Sequence, residues 1–135
     1  MKKYFLYLSI LSLVFLSCEK GPGEGGRTSI IGKVFAEEWD DISYTQHYDS
    51  LDHWAADEDV FIIYGDDASY GDRIRTGPDG VFEFKYLREG DYTVYVYSEA
   101  VENAAATAGG KVAVSKRVSI PKKGTYDAGE FRIKK

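Results

Sequence analysis

This sequence predicts an all-β sandwich, and three observations carry the prediction. Runs with a period of two recur through residues 29–135, turn residues separate them, and eleven tyrosines supply side chains suited to a pleated, half-buried surface. Seven short strands divided by turn signals suit two packed sheets, and helical periodicity is too limited to compete. A chain of 135 residues has room for one such domain.

The first 17 residues read as an address. Lys2 and Lys3 form a positive region, and residues 4–16 form an apolar one. That stretch is too short for a transmembrane helix, which needs roughly 20 residues. The run Phe15-Leu16-Ser17-Cys18 resembles a bacterial lipobox, in which a small residue precedes a cysteine that is lipidated and becomes the first residue of the mature chain. Cys18 is the only cysteine, so there is no disulfide framework and no cysteine metal site. The lipoprotein resemblance implies three acyl chains, and two suffice for stable anchoring. It also implies a Gram-negative cell envelope. Glu19 stands where an aspartate would favour the inner membrane, which points to the outer membrane. Residues 18–28 contain EKGPGEGGR and read as a glycine-rich, flexible tether that holds the domain clear of the bilayer.

Residues 1–17 hold two of the 17 basic residues and none of the 22 acidic ones, so the remainder carries 15 against 22, a charge of −7. That balance argues against nucleic acid as a partner. It also argues against the domain lying on anionic headgroups, so the expected membrane contact is the lipid alone.

The first strand is expected over residues 29–36, with Gly32 marking a bulge or a close backbone approach. Residues 59–64 contain the nearly continuous apolar run VFIIY, expected of a strand buried on both faces. Ile74 between Arg73 and Arg75 reads as a short edge strand. In residues 76–96, TGPDGVFEFKYLREGDYTVYV, a Gly-Pro-Asp-Gly turn precedes Phe82, Phe84 and Tyr86, which alternate with Glu83 and Lys85. After a second turn Tyr92, Val94 and Val96 resume the alternation. Residues 98–110 are alanine-rich, with Ser98 as a candidate N-cap and Gly109-Gly110 as a stop, and read as a short helix. Val112, Val114, Val118 and Ile120 share parity, and Lys116 in their midst predicts a bulge or an exposed break. A turn at Pro121-Lys122-Lys123-Gly124 leads to a last strand with Phe131 and Ile133 inward.

The pattern DG-x-F-x-F-x-x-L-x-x-G-x-Y-x-V-x-V, from Asp79-Gly80 to Val96, resembles the signature of carboxypeptidase regulatory-like domains. The resemblance implies a seven-stranded Greek-key β-sandwich of the prealbumin (transthyretin-like) type, acting as a structural or binding accessory module without catalytic residues. Residues 36–58 then form a long insertion between the first two strands.

That insertion holds both tryptophans and both histidines. Trp39, Tyr44, Tyr48 and Trp54 are the candidate ligand-binding residues, because aromatic rings give large contact area at low entropic cost. The bland alternative is a satellite core packed on the sandwich. Tyr44, Tyr48, Leu51 and Ala55 have the spacing of one helical face. His47, Asp49, Asp52 and His53 include zinc-ligand chemistry but match no recognised spacing, so a small metal-dependent protein or hydrolase is the alternative function. The acidic turns around Asp57, Glu58 and Asp59 and around Asp66, Asp67 and Asp72 lack a calcium-loop pattern.

No G-x-S-x-G elbow, H-E-x-x-H motif or usable cysteine nucleophile is present. The ending Phe131-Arg132-Ile133-Lys134-Lys135 departs from the Tyr-Arg-Gly-Ser tail of hydroxyisourate hydrolases of the transthyretin fold. Both histidines fall in one loop, unlike the iron ligands of intradiol dioxygenases. An isopeptide crosslink from Lys33 is disfavoured, since the last strand offers Asp127 and no asparagine. The expected protein is therefore a non-enzyme with no cofactor, anchored at Cys18 and contacting an envelope protein or glycan.

Overall fold

The computed structural model describes residues 20–39, 46–100 and 110–135. Cys18, Tyr44 and most of the expected helix at 98–110 lie outside the described residues. Among the described residues eight strands follow in order: β1 (Glu24–Glu37), β2 (His53–Trp54), β3 (Asp59–Tyr64), β4 (Asp72–Arg75), β5 (Val81–Leu87), β6 (Gly90–Glu99), β7 (Lys111–Ile120) and β8 (Thr125–Lys134). Two four-stranded sheets pack as a β-sandwich. In one, β1 pairs with β5 and β2 in antiparallel fashion and with β8 in parallel; the other runs β4-β3-β6-β7. The two-residue β2 comes from the insertion, and the other strands overlap the expected runs.

Alternation builds the core. Ile30, Val34 and Ala36 of β1 face Phe82 and Phe84 of β5, Phe131 and Ile133 of β8, Val60 and Ile62 of β3, and Tyr92, Val94 and Val96 of β6, all at most 2% exposed. Gly32 is the predicted close approach: a Cβ there would lie 2.5 Å from Phe82 Cζ. The β1–β8 register also shifts beside it. Ile74 sits on the edge strand β4 as expected.

The turns into β6 and β8 close in the same way. In Gly90-Asp91-Tyr92 and Gly124-Thr125-Tyr126, the tyrosine hydroxyl donates to the carbonyl four residues earlier, Arg88 at 2.7 Å and Lys122 at 2.9 Å. The glycine two residues before each tyrosine has positive φ, 141° and 157°.

Four expectations need correction. β1 begins at Glu24 and not at 29, so part of the expected tether is strand. Gly26 permits this by lying where a Cβ would meet the Leu87 carbonyl oxygen at 1.8 Å. Tyr86 does not continue the inward set of Phe82 and Phe84; it is 71% exposed with φ 60°, and this one-residue slip turns Leu87 into the core. Ser98 caps no helix. It lies within β6 opposite Val112, and its hydroxyl accepts the Lys134 N–H at 2.8 Å. Lys116 causes no bulge, because the β6–β7 register is unbroken. Its Nζ instead reaches the Glu130 carbonyl at 2.7 Å and lies 4.9 Å from the Phe131 ring centroid, a long side chain laying its stem along apolar surface.

Candidate functional site

The described part of the insertion is pinned to the C-terminal ends of β1 and β8. Trp39 N–H donates to the Lys135 carbonyl at 2.8 Å, Tyr48 N–H to Glu38 at 2.8 Å, and Ala55 N–H to Val34 at 2.9 Å. A single 3-10 turn at Asp49–Leu51 precedes β2. The expected helical face is therefore absent from the described residues: Ala55 is buried while Leu51 is 59% exposed. The backbone donors of Tyr48 and Ala55 are taken by carbonyls of and beside β1, which leaves no helical ladder for the spacing to use.

Asp52 organises this segment. One carboxylate oxygen accepts the Glu38 N–H at 3.0 Å and sits 2.9 Å from His47 Nε2. Asp49 lies 2.8 Å from the other ring nitrogen of His47. Trp39 stacks on His47 with centroids 5.0 Å apart, and Lys134 Nζ stands 3.7 Å from the Trp39 ring centroid. The Trp39 indole N–H is buried without an acceptor among the described residues.

His47, Asp49 and Asp52 are the only group of three candidate metal ligands among the described residues. Their arrangement suits ion pairing better than ligation. Each carboxylate addresses a different ring nitrogen, and one imidazole offers one lone pair to one ion. His53 stands apart, with Nδ1 3.1 Å from the Leu51 carbonyl and 3.6 Å from Glu38. Elsewhere, Asp66 pairs with Arg117 at 3.6 Å. Lys33 stands over Trp54 at 4.8 Å, and the Asp127 carboxylate accepts the Gly129 N–H at 2.7 Å.

Partial burial works to raise the Asp52 pKa, but the Glu38 amide, His47 and, more distantly, Arg132 outweigh it and hold the carboxyl below its ordinary 3.8. A lowered pKa means that folding favours the ionised form, so the contribution is full above that ordinary value and fades as pH falls through the lowered one. Tryptophan emission should therefore shift to the red on acidification below about pH 4. Asp52→Asn should show the shifted spectrum at neutral pH. Emission that holds constant until the whole domain melts would show that Asp52 does not secure the insertion.

The structure thus separates the candidate aromatics. Trp39 is engaged by His47 and Lys134. Tyr48 and Trp54 are 38% and 39% exposed, and Trp54 meets Phe35 edge-on at 5.1 Å.

A second aromatic group was missed from sequence. On the outer face of the β3–β6 sheet, Phe61 stacks on Tyr95 at 5.0 Å and meets Tyr70 and Tyr97 edge-on at 5.1 and 5.6 Å. Burial, with smaller contributions from Tyr97 and Tyr70, pushes the Tyr95 hydroxyl up to about 12. Arg73 and Arg75 beside it are paired with Asp59 and Asp57. The available signal was parity, since Tyr95 and Tyr97 are aromatic where an outward position ordinarily carries a polar residue.

No protein-family model matches the chain, and no curated protein does. Among solved structures, it is similar to the crystal structure of a candidate carbohydrate-binding protein from Pseudomonas aeruginosa, with a TM-score of 0.46 and 11% sequence identity over 84% of this chain and 91% of that one.

Proposed function

We propose that this chain is a non-catalytic binding module of the cell envelope, anchored by lipid on Cys18, with residues 46–55 forming its contact surface for a protein or glycan partner. One observation carries the reading. Of five large hydrophobic side chains exposed among the described residues, three belong to this ten-residue segment: Tyr48, Leu51 and Trp54. Their backbone is tied to β1, so they are presented in a fixed arrangement, which lowers the ordering cost of binding. They also lie at the end of the sandwich opposite the chain's entry into the fold, about 30 Å along β1 at 3.3 Å per residue. A lipid-anchored domain would thus offer them away from the membrane. The two histidines, His47 and His53, are each paired with carboxylates of the insertion, and this favours binding over catalysis.

The test uses the full chain carrying Trp39→Phe, in which emission reports Trp54 alone. Envelope glycans and peptides are titrated, and a ligand is expected to quench or shift that emission. Trp54→Ala should weaken binding of the same ligand by at least about tenfold, as for a central aromatic anchor. Activity lost with a chelator or on His47→Ala would favour the metal-dependent alternative. The outer tyrosine group supports a second reading, glycan contact at Tyr70, which is 51% exposed and meets Phe61 edge-on. Binding that survives Trp54→Ala and is lost on Tyr70→Ala would favour it.

A further inference from the structure

At the opposite end lies a cleft of about 720 Å³, lined by Lys20, Arg27, Arg88 and Lys123 with Glu89 as its one acidic group. This is a local inversion of charge in a chain that carries 15 basic and 22 acidic residues after position 17. Lys20, Arg27 and Lys123 are exposed, and none of the three has an ion-pair partner among the described residues. Arg88 has a different task. Its guanidinium donates to the carbonyls of Gly21 at 2.7 Å, Pro22 at 3.4 Å and Glu24. Gly23 is held as well, its N–H by Tyr92 Oη at 2.9 Å and its carbonyl by Arg88 N–H at 2.8 Å.

The expected flexible tether is therefore stitched to the fold from Gly21 onward. Only residues 18–20 separate the lipidation position from fixed backbone, and three residues span about 10 Å at most. Arg27 also borders a shallower cleft with Tyr86. The exposed Tyr86 ring is held there by a left-handed backbone, φ 60°, and tyrosine is enriched at membrane interfaces.

We infer that this end of the domain is a membrane-contact face, in which Lys20, Arg27 and Lys123 receive the phosphates of anionic phospholipid headgroups and Tyr86 rests at the interface. The inference rests on the lipid-anchor reading, because the short spacer keeps the cleft within roughly one Debye length, about 8–10 Å, of the bilayer surface. Overall acidity predicts the reverse, but the field within a Debye length is that of the nearest charges. Each basic side chain near an anionic surface contributes roughly fivefold in partitioning, so three together contribute on the order of 10²-fold. Contact here would also fix the domain's orientation, with Trp54 at the distal end.

The test uses the mature chain, residues 18–135, with Cys18→Ala, so that neither the acyl chains nor the apolar leader contributes. It is sedimented with phosphatidylcholine vesicles, with and without roughly one-third phosphatidylglycerol. Binding is expected to the anionic vesicles only, to weaken with salt, and to fall by at least about 10²-fold when Lys20, Arg27 and Lys123 are all changed to glutamate. Tyr86→Ala should lower it further in the unreversed chain, and far-UV circular dichroism checks that each variant folds. Equal binding to both vesicle types, indifference to the charge reversal, or complete displacement by inorganic phosphate at equal phosphate concentration would overturn the inference. The anchor is tested separately by the intact mass of the wild-type chain extracted from membranes. An unmodified Cys18 would remove the anchor reading without touching the vesicle result.

Discussion

Replacing Phe82 with alanine is expected to destabilise the domain by about 3–5 kcal/mol, the range for a fully buried phenylalanine. Phe82 is 2% exposed and meets Phe84 and Phe131 edge-on at 6.0 and 5.7 Å, so its ring joins β5 to β8 across β1. The strand between them offers only Gly32 beneath the ring. No side chain there can swing in to fill the space, which places the cost toward the upper end. Whole domains are commonly stable by about 5–15 kcal/mol, so the variant should unfold at much lower urea with an unchanged slope. A loss below about 1.5 kcal/mol would mean that the sheets close over the cavity. Gly32→Ala should destabilise the wild-type chain but cost less in the Phe82→Ala background, because the added methyl then enters vacated space. Residues in contact couple in this way.

Tyr92→Phe is expected to cost about 1–3 kcal/mol while leaving the apolar packing intact. The Tyr92 hydroxyl accepts the Gly23 N–H at 2.9 Å and donates to the Arg88 carbonyl at 2.7 Å. Removing it leaves buried backbone groups unpaired at the point where the chain enters the fold. The loss should be local as well as global, with trypsin cutting after the exposed Arg27 faster than in the wild-type chain and amide exchange rising over residues 21–25. Unchanged cleavage with lowered global stability would show that Arg88 alone holds the segment. In an anchored chain the same variant would lengthen the free spacer and loosen the domain from its membrane.

These two residues also mark how far the sequence could be read. Phe82 and Tyr92 were both legible as core positions, since alternation is a property of the strand itself and needs no knowledge of its neighbours. The turn from Gly77 to Gly80 was legible for a related reason: Gly80 N–H bonds back to the Gly77 carbonyl at 2.9 Å, and Gly80 takes the positive φ that glycine tolerates. The β-sandwich follows from such local signals, repeated along the chain and divided by turns.

The exceptions share one cause. Residues 24–27 have the composition of a coil, and they form strand because Arg88 and Leu87 wait for them from β5 and the turn after it. Tyr86 breaks its own alternation so that Leu87 enters the core. Among the described residues the helical spacing around Tyr48 had no effect, because Glu38 and Val34 supply the carbonyls. In each case the deciding partner lies far along the chain. The same holds for the candidate sites: the sequence marked Trp39 and Trp54 equally, but Lys134 and His47 cover the first, while the second stays half-exposed above Lys33. The sequence alone determined the strands, their turns and the inward face of most of them, because those depend on backbone periodicity. Tertiary structure decided which aromatic rings remain open, where the first strand begins and where basic side chains gather on an acidic domain, because those depend on which distant residues meet.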